Sequence, residues 1–258
     1  MVRKFIVSLG IAALTAVGWG LPAEAAMIEY TAGHADIGVA IEDGELNLHY
    51  HFGGDAVLDN VLLGSGLDEE AYEYDPSEVY VRVPDSQMFN VDGTIHSGVG
   101  LGPGAGDVWV LSQNNLAGLP FLGFGTEDLP QGSGNTVFSL LGVSGPGNFS
   151  LWTAGFGFSV KWDSVDGFGA DDAFSLPAGS HSHYNWGFTA PGVYYVDVLA
   201  TNGSLSDSGR FTFLVGDQTT LPEVVSPVPE PASLALAGMG GLALCGGALR
   251  RRRAARSN

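Results

Sequence analysis

From Glu45 to Phe52 the chain alternates strictly. Leu46, Leu48, Tyr50 and Phe52 fall on one side, and Glu45, Asn47, His49 and His51 on the other. A period of two is that of a β-strand with one face in a core and one face out of it. The same reading places strands at 79–83, closed by Pro84, and at 107–111. Further strands are expected at 136–143, 148–162, 183–189, 193–200 and 209–215, with Gly155 and Gly157 predicting a bulge or a break in the 148–162 run. Glu42-Asp43-Gly44 reads as a hairpin turn, and Gly145-Pro146-Gly147-Asn148, Ala190-Pro191-Gly192 and Thr201-Asn202-Gly203 punctuate the later runs. Residues 64–76 and 98–106 read as loops. Many short strands with regular turns predict an all-β fold, an immunoglobulin-like antiparallel β-sandwich over 26–216.

The two ends follow other patterns. Residues 1–25 read as a secretory signal peptide: Arg3 and Lys4 are positive, 5–17 are apolar, and Ala23-Glu24-Ala25 offers signal peptidase its small residues, with cleavage after Ala25. Residues 217–231 are a linker made extended by Pro222, Pro227, Pro229 and Pro231. Residues 232–249 carry no charge, and eighteen helical residues at ~1.5 Å each span roughly 27 Å, enough for a bilayer core. This run is expected to be a transmembrane helix. Residues 250–258 begin with four arginines, which hold that end in the cytoplasm and place 26–216 outside. The one cysteine, Cys245, lies in the predicted helix, so the outer domain has no disulfide.

Charge narrows the partners. Between 27 and 221 there are 25 acidic residues against three basic ones, Arg82, Lys161 and Arg210, a formal charge of −22. Such a surface repels nucleic acid and anionic lipid and draws divalent cations. DNA and RNA are excluded as partners on this ground.

The histidines suggest chemistry. Four of the six fall in His-x-His pairs, His49/His51 and His181/His183, and His34 stands two residues before Asp36. On a strand, residues two apart share a face at roughly 6.5–7 Å, so each pair can reach one ion. His34, Asp36, His49, His51, His181 and His183 form the candidate metal set, and four ligands suffice for zinc. Nitrogen and oxygen donors suit zinc and, less selectively, copper, nickel or manganese. The structural alternative stands beside this: His49 and His51 as the polar face of an edge strand, His181 and His183 as a hairpin cap, and the isolated His96 without a site. Asp163, Asp166, Asp171 and Asp172 offer calcium a set of hard ligands, but off EF-hand spacing, and a solvated acidic turn accounts for them too. Trp109, Trp152, Trp162 and Trp186 suit either a carbohydrate platform or a core. No nucleophile elbow, phosphate loop, His-Glu-x-x-His or dinucleotide motif is present, so the chain is read as a non-enzyme.

Two resemblances extend this. Val228-Pro229-Glu230-Pro231-Ala232-Ser233, followed by the apolar run and the arginines, resembles the PEP-CTERM sorting signal. The resemblance implies processing by an exosortase near Pro229, Glu230 and Pro231 in a Gram-negative bacterium. It further implies a transient stay in the inner membrane and delivery to the cell surface or extracellular matrix. A plain C-terminal anchor with a proline-rich stalk would have the same topology. Gly33-His34-Ala35-Asp36-Ile37, Glu42-Asp43-Gly44-Glu45-Leu46, 145–151 and 181–194 resemble the surface-anchored domain called choice-of-anchor M. That likeness implies a surface protein and hints at metal handling. The functional expectation is a non-enzymatic surface or matrix protein that binds a transition metal. The alternatives are a structural or adhesive protein contacting exopolysaccharide without metal, and a hydrolase whose site no motif reveals.

Overall fold

A computed structural model describes residues 26–222 of the chain. The expected signal peptide, the Pro229-Glu230-Pro231 triplet, the transmembrane helix and the basic tail lie outside the described residues.

The first hairpin sets the frame. Strands β1 (Ile28–Glu42) and β2 (Glu45–Phe52) pair antiparallel with Glu42 opposite Glu45, so Asp43 and Gly44 alone make the turn. Their φ values of 50° and 87° are the left-handed pair a type I′ turn requires. The chain continues through β3 (Val57–Leu58), β4 (Val61–Leu62), β5 (Glu73–Tyr74), β6 (Val79–Val83) and β7 (Met88–Val91). A short helix α1 (Gly93–Gly98), capped by the Asp92 carboxylate, precedes β8 (Gly106–Leu111). Then come β9 (Pro120–Gly125), β10 (Asn135–Ser144), β11 (Phe149–Ala154), β12 (Phe158–Asp163) and β13 (Ala173–Pro177). The last four are β14 (His181–His183), β15 (Asn185–Phe188), β16 (Gly192–Asn202) and β17 (Leu205–Val215).

Strand β1 serves two regions of one large sheet. Its first residues run parallel to β6, and from there the order continues β6-β17-β16-β10-β13. From Gly33 onward it runs parallel to β9, and from Ala35 antiparallel to β2, within a row ordered β14-β9-β1-β2-β5. The handover falls at Gly33. Its φ is +89°, and a Cβ there would be driven into the Asp55 carbonyl, so only glycine lets the strand turn. A separate five-stranded sheet is ordered β12-β11-β15-β8-β7.

Aromatic side chains from all three regions meet in one core. Phe124 of β9 stacks on Trp186 of β15 with centroids 5.4 Å apart. Tyr50 of β2 meets Phe211 of β17 at 5.0 Å, and Phe188 meets Phe213 at 5.3 Å. Burying a Phe of this kind is worth about 1.5–3 kcal/mol. Trp109, Trp152, Trp162 and Trp186 are all buried, so these four belong to the core and form no carbohydrate platform.

The all-β expectation holds. The 45–52 and 79–83 runs are β2 and β6, and the 148–162 run divides into β11 and β12 on either side of Gly155 and Gly157. The wholly antiparallel pairing does not hold: β1–β6, β1–β9 and β6–β17 are parallel pairs. Alternation marks a strand but not its direction against a neighbour, and these neighbours arrive after long excursions of the chain. Strand β9 is not among the expected strands; Pro120, Gly123 and Gly125 interrupt its apolar pattern. In the structure those glycines have a packing purpose.

Candidate metal centre

Five strands place one residue each in a single cross-strand row. His183 of β14 is opposite Gly123 of β9, Gly123 opposite Asp36 of β1, Asp36 opposite His51 of β2, and His51 opposite Glu73 of β5. Residues two along extend the same face: His181 opposite Gly125, His49 opposite Gly38, and His34 opposite Phe121. The other face carries Ile37, Leu48, Tyr50, Leu122 and Phe124 into the core. The period of two therefore gathers all six expected ligands on one face of β14-β9-β1-β2.

Donor atoms within 4.8 Å of one another fall into three groups: His34, Asp36 and His183; His49, His51, Glu73 and Asp128; and Asp36, Glu127 and His181. His34 Nε2 is 3.4 Å from Asp36 Oδ2, and His183 Nε2 is 3.8 Å from Asp36 Oδ1. Two donors on one tetrahedral zinc ion stand about 3.3 Å apart, so small side-chain movements bring these atoms to one ion. The ring centroids of His34, His181 and His183 lie 5.1 to 6.0 Å from one another. Glu73, Glu127 and Asp128 are additions that no spacing in the sequence marks.

Glycine keeps the space between these donors open. A Cβ at Gly123 would collide with Asp36 Oδ1 and lie 2.8 Å from His183 Nδ1. A Cβ at Gly125 would lie 3.1 Å from Asp36 Cβ, and one at Gly38 2.9 Å from His49 Nε2. Three positions in the face thus do without a side chain where one would intrude on a ligand. Phe121 stacks flat on His183, with centroids 3.5 Å apart and planes 6° from parallel, and fixes the tilt of that imidazole. Fully buried Thr126 anchors the start of the loop that carries Glu127 and Asp128. Its hydroxyl lies 2.7 Å from the Pro177 carbonyl and 2.9 Å from that of Ser180, and it accepts the Ser180 N–H.

Burial separates the donors into two kinds. Burial lowers the pKa of His34 and His49, and that of His183 falls to about 4 through burial, then through the neighbouring His34 and His181. The Leu122 carbonyl opposes this only weakly. These imidazoles are neutral at pH 7 and hold a lone pair for a metal. Burial also raises Asp36 to about 7. His51 is raised by its hydrogen bond to Asp128, 3.0 Å away, which lowers Asp128 in turn. His181 is raised by Glu127, 2.6 Å away. The metal-free face therefore mixes neutral donors with proton-holding pairs that a metal would displace.

Among the described residues, six buried side-chain N and O atoms have no hydrogen-bond partner, and four of them are Asp36 Oδ1, His49 Nε2, His183 Nδ1 and His183 Nε2. Leaving such an atom unpaired costs about 1–3 kcal/mol, so a water or an ion bound on this face would satisfy them.

Elsewhere the candidates serve the fold. His96 is buried in α1 with Nδ1 2.8 Å from the Gly102 carbonyl. Asp172 accepts the N–H groups of Asp163 and Gly169, and Asp163 accepts that of Val165, so these carboxylates tie their own loop.

A model of the PEP-CTERM protein-sorting motif matches residues 227–253, a span that takes in Pro229, Glu230 and Pro231, the apolar run and four arginines. The motif implies export, processing by an exosortase, and a cell-surface or extracellular destination. No curated protein and no solved structure matches the chain.

Proposed function

We propose that this is a non-enzymatic surface or matrix protein that captures a divalent transition metal, zinc first, between His34, Asp36 and His183. The observation that carries the reading is the three partnerless atoms of Asp36 and His183 facing each other across a glycine. A buried carboxylate between two neutral imidazoles is a donor set that zinc takes readily, with copper, nickel and manganese as competitors. His181 and Glu127 stand at the rim, where the formal charge of −22 over 27–221 raises the local cation concentration. The likeness of 26–216 to the choice-of-anchor M domain adds to the reading. Calcium is a weaker candidate, since imidazole is a poor ligand for so hard an ion.

The test is cobalt(II) titration of the metal-free full-length chain. Visible d–d bands that saturate, and that vanish in Asp36→Asn/His183→Gln, are expected. A colourless titration with no shift in melting temperature under zinc would sink the reading.

Adhesion to exopolysaccharide is the second reading. In its favour, Phe156 at the β11–β12 turn is fully exposed and Phe158 is half exposed behind it. Such rings can stack on sugar faces. Retention of the wild type on immobilised exopolysaccharide, lost in Phe156→Ser, would support it.

A further inference from the structure

Capture of an ion by His34, Asp36 and His183 leaves a second set of donors unused on the same face. His49 Nε2 is 3.8 Å from Glu73 Oε1 and 3.9 Å from Asp128 Oδ2, and His51 Nδ1 is 3.0 Å from the same Asp128 oxygen. His49 is only 3% exposed, and its Nε2 makes no hydrogen bond. Its Nδ1 lies 3.2 Å from Asn47 Oδ1, which can only accept, so Nδ1 carries the proton and Nε2 the lone pair. A lone pair buried beside two carboxylate oxygens, with no proton offered to it, is an unfavourable arrangement unless a cation joins them.

The backbone makes room for that cation. Gly38 is the cross-strand partner of His49, and a Cβ there would lie 2.9 Å from Nε2. Strand β5 is two residues long and brings Glu73 opposite His51, completing the set from the far side. The His51–Asp128 ion pair satisfies those two residues in the metal-free protein but leaves His49 Nε2 unanswered.

We propose that His49, His51, Glu73 and Asp128 bind a divalent ion of their own, beside the first, so that the face holds two ions at once. The inference rests on the reading of this face as a metal centre. Asp36 of the first set and His51 of the second are cross-strand partners, with Cα atoms about 4.5–5.5 Å apart, so the two ions are neighbours. Two imidazoles with two carboxylates are a harder set than two imidazoles with one. The second site therefore discriminates less against manganese(II) and iron(II) than the first, with zinc still the tighter ion.

The test counts ions in the full-length chain by elemental mass spectrometry, after dialysis of metal-free protein against zinc. Two ions per chain are expected in the wild type, and one each in His49→Gln/Asp128→Asn and in Asp36→Asn/His183→Gln. Near-ultraviolet circular dichroism checks that each variant is folded. Gly38→Ala, which keeps every ligand, gives the same count of one should the first variant fail to fold. One ion in the wild type that His49→Gln/Asp128→Asn keeps overturns the second site and leaves the first reading standing, one that it loses overturns the first reading, and none overturns both. With copper(II), the wild type is expected to show dipolar broadening in its electron paramagnetic resonance spectrum. Two magnetically isolated coppers would place the second ion elsewhere and overturn the assignment.

Discussion

Gly123 stands directly between Asp36 and His183: it is the cross-strand partner of both, and its missing side chain is what lets their donor atoms face each other. Gly123→Ala changes no ligand, yet places a methyl group against Asp36 Oδ1. We expect zinc affinity at this set to fall at least tenfold while the fold persists, since nudging an adjacent side chain costs about 1–3 kcal/mol. Isothermal titration of the variant with zinc, beside a melting curve, checks this. Unchanged affinity would mean that the space between Asp36 and His183 is not where the ion binds.

The pH dependence of the metal-free protein follows from the buried carboxyl. Asp36 titrates near 7 in the folded chain, above the 3.8 of an unperturbed Asp, so its contribution is fully present below pH 3.8 and is lost as pH rises through 7. His51 and His181, both raised, lose their contributions in the same direction. His183 works the other way, its contribution being complete above pH 6.5 and lost as pH falls through about 4. His34 and His49, both lowered, gain with His183 as pH climbs, so comparison with Asp36→Asn isolates the Asp36 contribution between pH 3.8 and about 7. Over that window the stability of the metal-free wild type relative to Asp36→Asn should fall, by up to about 4 kcal/mol in all. Zinc should restore the loss, by about 2.7 kcal/mol at a hundredfold excess over Kd. A wild type whose stability relative to Asp36→Asn stays flat from pH 3.8 to about 7 would contradict the burial of Asp36.

That the six candidate histidine and aspartate ligands share one face is legible in the sequence because two-residue spacing and strand periodicity coincide. His49 and His51 must share the face opposite Leu48 and Tyr50, whatever the fold around them. Which strands adjoin is another matter. Nothing local says that β9 enters parallel beside β1, and its glycines, which look like breakers, are the residues that open the site. Glu73, Glu127 and Asp128 are equally hidden. With 28 acidic residues in the chain, none stands out until a two-residue strand and a buried threonine bring these three to the histidines.

That threonine can be tested alone. Thr126→Val keeps the shape but removes the hydroxyl that bridges to Pro177 and Ser180. Loss of the bridge leaves buried backbone groups short of a partner, so we expect about 1–3 kcal/mol of destabilisation by urea unfolding. Because Glu127 and Asp128 follow directly, zinc affinity should fall as well. Thr126→Ser, which restores the hydroxyl, should recover most of both. No loss in Val together with a loss in Ser would show that the methyl group, not the hydrogen bonds, holds the loop.

Asn47 separates an orienting role from a structural one at the second set of ligands. It is exposed and touches the face only through His49 Nδ1, so its removal should cost the fold little. An acceptor on one imidazole nitrogen fixes the tautomer that leaves the other free, and losing such a partner typically weakens metal binding 10- to 100-fold. Asn47→Ala is therefore expected to release the second ion at zinc concentrations that keep the first bound, with the melting temperature of the metal-free protein unchanged. Asn47→Asp supplies a stronger acceptor in the same place and should hold the second ion at least as tightly as the wild type. If Ala and Asp bind alike, His49 does not use Nε2 as its donor. The buried lone pair would then need some partner other than a metal ion.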